Sequence, residues 1–132
     1  MGMLKIYYSH PMKLYSSDIE KEDLAFLARK GKVTNPRDIE FLEMIDYIKL
    51  LKEHDVVYYR DLHYGVAFEV LSALAFGIPV YSLETKRRIS KRLLREIVEV
   101  FKNSPYFEED VEKFKTNFPE FYTKFLDIIN NV

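Results

Sequence analysis

The sequence predicts an α/β fold: a small, doubly wound, mostly parallel sheet with helices on both faces and an aromatic-rich helical C-terminus. Three observations predict it. Short β-branched or aromatic runs alternate four times with stretches of helical periodicity. Gly, Pro and Asn punctuate the joints between them. The chain has 132 residues, 48% of them hydrophobic, which suits one compact domain with a real core.

Each element follows in order. Leu4-Lys5-Ile6-Tyr7-Tyr8 reads as a first strand, stopped by Ser9-His10-Pro11. Asp18 to Lys30 reads as a helix that Ser17 or Asp18 can cap, with Leu24, Leu27 and Ala28 on one face and Gly31 at its end. Val33-Thr34 is a very short second strand before Asn35-Pro36. A second helix is expected from about Asp38 to Glu53, because Phe41, Met44, Ile45, Ile48 and Leu51 recur at helical spacing. Asp55 to Tyr59 forms a third strand, and Tyr64 to Phe76 an Ala- and Leu-rich helix ended by Gly77. Ile78 to Leu83 is the fourth strand, in which Pro79 can stand only at the start or where no ladder donor is needed. A basic stretch, Lys86-Arg87-Arg88, leads into a helix over Ile89 to Lys102. Residues 1–103 thus form the α/β core of a single domain spanning 1–132. Residues 104–132 add one or two helices, marked by Phe107, Phe114, Phe118, Phe121, Tyr122, Phe125 and Ile129, with Pro119 placed at a helix start. Parallel strands joined by right-handed crossovers give a Rossmann-like or flavodoxin-like sheet.

Composition excludes several function classes. The formal net charge is −1, so a general nucleic-acid binder is not expected. There is no cysteine, hence no thiol nucleophile, disulfide framework or cysteine-bound metal. No apolar run approaches the roughly 20 residues of a membrane helix, and the first residues lack the apolar core of a signal peptide. A cytoplasmic protein with no membrane attachment is the expectation. The three histidines have no compact ligand spacing, so neither a metal nor another cofactor is expected. Neither a Walker loop nor a G-x-G-x-x-G is present.

Ligands of such sheets bind outside the carboxyl ends of the strands. Here those ends are Ser9-His10-Pro11, Asn35-Pro36, Arg60 to Gly65, and Leu83 to Arg88. Gly65 lets the backbone approach a ligand closely, and Glu69 follows near the start of the same helix, where the dipole favours a carboxylate. A carboxylate so placed can attack an anomeric carbon; the alternative is a helix-start glutamate that satisfies backbone donors. His10 and His63 lie on loops at this edge and can contact a ligand or act as acid–base groups, or can be unrelated loop residues. Arg60 can line the site or pair with Asp61. Ser90, with Lys86, Arg87, Arg88, Lys91 and Arg92, can hold a 5′-phosphate or form a solvated helix start.

The run Gly65-Val66-Ala67-Phe68-Glu69, followed by Ala73, Ala75, Gly77, Pro79 and Val80, resembles the nucleoside 2-deoxyribosyltransferase family. It is similar above all to members that hydrolyse deoxynucleoside monophosphates. Ile6-Tyr7-Tyr8-Ser9-His10-Pro11 looks like the family's first strand, and Val33-Thr34-Asn35-Pro36 like the segment closing its second. The likeness covers roughly the first 85 residues. It implies Glu69 as the nucleophile and Tyr7 as the tyrosine that touches it. The candidate substrate contacts, from their place at the binding edge, are Ser9, His10, Pro36, Arg60, His63, Gly65 and Ser90. The likeness also implies dimers or larger rings, in line with the C-terminal aromatics as an interface. Some features depart from the pattern. His10 and Leu71 stand where the family usually has Gly, and His63 where many transferases have Asp. Asp46 is nearest to the family's catalytic Asp, yet its spacing to Asp55 is one residue long, and the apolar stripe of its helix turns it away from the core.

The expected function is therefore cleavage or transfer at the N-glycosidic bond of a nucleoside or nucleotide. The alternatives are a non-catalytic nucleotide-binding or sensor module on the same fold, and a homo-oligomeric assembly protein.

Overall fold

The computed structural model describes residues 3–41 and 43–132; Met1, Gly2 and Leu42, the last inside the expected second helix, lie outside the described residues. The architecture is the expected one, a small doubly wound α/β fold. Its strands are β1 (Lys5–Ser9), β2 (Lys32–Thr34), β3 (Val56–Tyr59), β4 (Val80–Ser82) and β5 (Arg87–Arg88). Their order across the sheet is β2-β1-β3-β4-β5, parallel throughout except for β5. The helices are α1 (Asp18–Ala28), α2 (Met44–Leu51), α3 (Tyr64–Ala75), α4 (Lys91–Lys102), α5 (Phe107–Asn117) and α6 (Tyr122–Asn130). No helix among the described residues is long and apolar enough to cross a membrane.

The period of two along β1 sorts its side chains between two cores. Ile6 and Tyr8 pack with Leu27 of α1, Val56, Tyr58 and Leu83 on one face. Tyr7 joins Val57, Tyr59 and Val80 on the other, under α2, α3 and α4. The chain leaves β1 toward α1 on the first face and leaves β3 toward α3 on the second. The gap between β1 and β3 is therefore the switch point of the sheet, where a crevice opens.

Two elements differ from the sequence-based expectation. The helix expected from Asp38 begins only at Met44, after a 3₁₀ turn over Pro36–Asp38. Asn35 caps that turn, its side chain accepting the Arg37 N–H at 3.2 Å. The Tyr47 hydroxyl then donates to the Ile39 carbonyl at 2.8 Å and accepts the Phe41 N–H at 3.2 Å. A side chain from the later helix thus satisfies backbone that would otherwise need a helical turn. The second difference is β5, an antiparallel edge in which Arg87 pairs with Ser82 and Arg88 with Tyr81. Pro79 stands just before β4, where its carbonyl accepts the Val57 N–H at 3.0 Å and no donor is asked of it.

The C-terminal aromatics pack within their own chain. Phe114 and Phe125 are fully buried and stack at 4.0 Å between centroids, and Phe118 is 6% exposed. Phe107, Phe121 and Tyr122 are partly buried against the same core as Phe68 and Phe101. These residues complete the helical layer over α3, so their abundance does not itself call for an interface.

Candidate active site

Glu69 is the centre of the site. It is the sixth residue of α3, a turn deeper than its sequence position suggested, and only 5% of it is exposed. The free N–H groups of the helix start lie a turn away, and the carboxylate is held instead by two hydroxyls from β1. Tyr7 donates its hydroxyl to Oε2 in a very short hydrogen bond, and Ser9 donates to Oε1 at 2.8 Å. The strand's alternation makes this possible: Tyr7 and Ser9, two apart, point to the same face. His54 backs the Tyr7 ring edge-on at 5.4 Å between centroids. The His54 ring is itself fixed, donating from Nδ1 to the Leu50 carbonyl at 2.9 Å and meeting the Thr34 hydroxyl at Nε2 at 2.7 Å.

Burial pushes the Glu69 carboxyl from its ordinary 4.5 up to about 7, against the hydrogen bonds from Tyr7 and Ser9, which pull it down. Burial and the neighbouring carboxylate push the Tyr7 phenol well above its ordinary value, so it remains a donor. The pair thus gives a carboxylate whose acidity is shifted toward neutral pH and whose direction is fixed, the condition of a group set to react near pH 7.

Above Glu69 lies a cavity of about 420 Å³ at the switch point. Its walls come from three strand-end segments: His10 to Lys13 with Tyr15 after β1, Pro36 after β2, and His63, Gly65 and Val66 at the start of α3. Met44 and Tyr47 of α2 close one side. Glu69 is the one carboxylate in this lining. His63 caps α3, its Nδ1 accepting the Gly65 N–H at 3.4 Å, so Nε2 carries the ring proton in the neutral form. A Cβ at Gly65 would meet only Met44, at 3.7 Å, an ordinary contact. Packing within the chain therefore does not demand glycine there.

A second polar cluster lies beneath the cavity, on the α1 face. Glu20 and Asp23 of α1 are 2% and 1% exposed. Glu20 accepts from the Ser16 N–H at 3.0 Å and from Arg37, and meets His10 Nε2 at 2.8 Å. Burial pushes its carboxyl up, but the hydrogen bonds from His10, Ser16 and Arg37 outweigh that and hold it below the ordinary value. Asp23 accepts from the Tyr8 hydroxyl at 2.6 Å and takes Arg60 in bidentate fashion at 2.7 and 3.0 Å. Two acids on one helix thus tie the segments after β1, β2 and β3 together.

Of the residues singled out from sequence, Tyr7, Ser9 and Glu69 are joined by hydrogen bonds, and His10, Pro36, His63 and Gly65 line the same cavity. Three are elsewhere. Asp46 is outside the lining, half-exposed and 3.8 Å from Lys49. Arg60 is engaged with Asp23. Ser90 caps α4 and borders a separate hollow with Arg87 and Arg88, beside β5 rather than the switch point. Glu20, Asp23, Arg37, Tyr15 and Tyr47 were not singled out from sequence. The one signal for the first two was a pair of acids three apart on α1, on the side of its apolar stripe. Comparison of the chain with family models, with curated proteins and with solved structures finds no match.

Proposed function

We propose that this protein is an enzyme that cleaves or transfers at the N-glycosidic bond of a nucleoside or nucleotide, with Glu69 as the nucleophile. One observation carries the reading: a buried carboxylate with its acidity shifted to about 7, aimed by Tyr7 and Ser9 into a largely apolar cavity at the switch point. A cavity of about 420 Å³ suits a ligand of nucleoside size. Glu69 attacks the anomeric carbon and the carbon–nitrogen bond breaks with its electron pair on the base. Water or a second base then displaces the carboxylate. Tyr7 and Ser9 keep the attacking oxygen oriented. Among the described residues the lining holds no second carboxylate, which sets this site apart from the two-carboxylate arrangement of O-glycosidases. The test is release of free base, followed by chromatography, from deoxynucleosides and their monophosphates. Turnover by the native chain and none by Glu69→Gln is the expected result; no release from any of them would reject the reading.

A binding module without turnover is the second reading, favoured by the position of Asp46 outside the cavity. It predicts ligand-induced thermal stabilisation with no base release. The proposed assembly is a homodimer. Its basis moves from the C-terminal aromatics to Met12, Phe41 and Tyr64, exposed by 77%, 39% and 38%; Met12 lines the cavity, Phe41 packs on its Tyr47 and Tyr64 on its His63, and a second copy would cover them. Light scattering should give about twice the 15.8 kDa chain mass.

A further inference from the structure

Tyr15 lines the cavity that holds Glu69, and its hydroxyl makes no hydrogen bond among the described residues. Its ring is nevertheless fixed. The His10 ring lies 5.3 Å from it, tilted by 57°, and the Arg37 guanidinium stands over it at 5.3 Å. Both partners are held by the same buried carboxylate, Glu20, which also takes the N–H of the next residue, Ser16. Ser16 is in the left-handed region at φ 63°, a conformation that costs a non-glycine residue about 1 kcal/mol and persists where surrounding bonds enforce it. The segment is further locked by the Tyr15 N–H to the Met12 carbonyl at 3.0 Å. So a buried ion cluster and a strained residue orient one phenol of the cavity lining, and its hydroxyl has no partner among the described residues. An oriented donor without a partner inside the chain is the arrangement expected of a substrate contact.

The topology gives that contact a direction. Tyr15 lies on the segment leading from β1 to α1, a helix that packs on one face of the sheet, whereas Glu69 belongs to α3 on the other. The two residues thus enter the cavity from segments that serve opposite faces of the sheet. In a displacement at the anomeric carbon the leaving group departs on the side away from the nucleophile. Burial, then the fields of Tyr47 and Glu69, raise the Tyr15 phenol above its ordinary value, so it stays protonated as a donor.

Building on the glycosidic reading above, we infer that Tyr15 is a catalytic residue that donates a hydrogen bond to the departing base. As Glu69 bonds to the anomeric carbon, the pair from the carbon–nitrogen bond moves onto the base, and the Tyr15 hydroxyl stabilises the negative charge that develops there. The phenol keeps its proton. The base takes its proton from water, and the water that resolves the glycosyl-enzyme supplies the hydroxyl to the sugar.

The test compares native protein and Tyr15→Phe on two purine deoxynucleosides, one ordinary and one methylated at N7. The methylated base already carries positive charge and leaves as a neutral molecule, so it needs no donor. With matched thermal midpoints, Tyr15→Phe should lose about tenfold to a hundredfold in background-corrected kcat on the ordinary substrate. On the methylated substrate it should lose less than about threefold. Equal losses on both, or a loss on neither, would overturn the assignment while leaving the nucleophile standing. Both substrates are supplied as the nucleoside or as the 5′-monophosphate, whichever form the native protein cleaves; release of base from no deoxynucleoside or monophosphate rejects the glycosidic reading, and this inference with it.

Discussion

Replacing Glu69 with Gln should make the protein more stable, and by an amount that depends on pH. Native Glu69 binds its proton with a value of about 7 in the folded chain, against 4.5 for an ordinary glutamate. Between those values the unfolded state holds fewer protons than the folded one, so stability falls as pH rises through that window. The contribution is fully present below pH 4.5 and lost above pH 7. At about 1.4 kcal/mol per pH unit the displacement amounts to about 3 kcal/mol. Glutamine matches the shape, stays neutral, and can still accept from Tyr7 while donating to the Ser9 oxygen. Glu69→Gln should therefore gain little at pH 4.5 and about 3 kcal/mol at pH 8, near 10 °C in midpoint for a chain of this size. Urea or thermal unfolding of both proteins at several pH values between 4 and 9 measures it. A stability difference that stays flat across that range would refute the claim that burial holds Glu69 partly protonated. A loss at pH 8 would mean that the site stabilises the anion.

Three further outcomes follow from the same geometry. Tyr7→Phe removes a hydrogen bond that lowers the Glu69 value, so the acidic limb of the rate profile should move up by about one to two pH units; activity at pH 7 falls about fivefold to fiftyfold and returns at higher pH, and an unmoved limb would contradict the role. Arg60→Met leaves Asp23 buried with only the Tyr8 hydroxyl, and chemical denaturation should report a loss of about 3 kcal/mol; a loss below about 0.5 kcal/mol would show that the pair contributes little. Arg87 and Arg88 border a hollow apart from the Glu69 cavity, so replacing both with Ala should leave the affinity for a nucleoside 5′-monophosphate unchanged by calorimetry, and a marked loss would place the phosphate in that hollow.

Much of the fold was legible because its signals are periodic. The β1 run alternates across two cores and α4 carries a clear apolar stripe, while α3 was legible by its length, its Ala and Leu content and Gly77 at its end. The departures have local causes. The stretch Ile39–Phe41 has helical apolar spacing toward α2, but the Tyr47 hydroxyl satisfies its backbone in another conformation, which depends on a tertiary contact. β5 consists of two arginines and has no alternation to read; only its partner Tyr81-Ser82 defines it. At the site, the resemblance pointed to Glu69 and Tyr7, whereas Ser9 was expected only as a substrate contact, and its bond to Glu69 had no signal along the chain. Asp46 sits on α2 beside Tyr47, yet Tyr47 and Met44 face the cavity while Asp46 does not, since adjacent helix residues point about 100° apart. Glu20 and Asp23 were hidden for the opposite reason. They are charges on the buried side of α1, and their partners come from residues 10, 37 and 60, which pattern along the chain does not connect.

The central claim is that Glu69 forms a covalent bond to a sugar. It can be tested by incubating the protein with a 2′-fluoro-arabinosyl nucleoside, whose electron-withdrawing fluorine slows breakdown of such an intermediate, and recording the intact mass. The account predicts a mass increase of one fluoro-sugar per chain, located by peptide fragmentation at Glu69, and no adduct on Glu69→Gln. Base release without any adduct, or an adduct that persists when Glu69 is replaced, would contradict it.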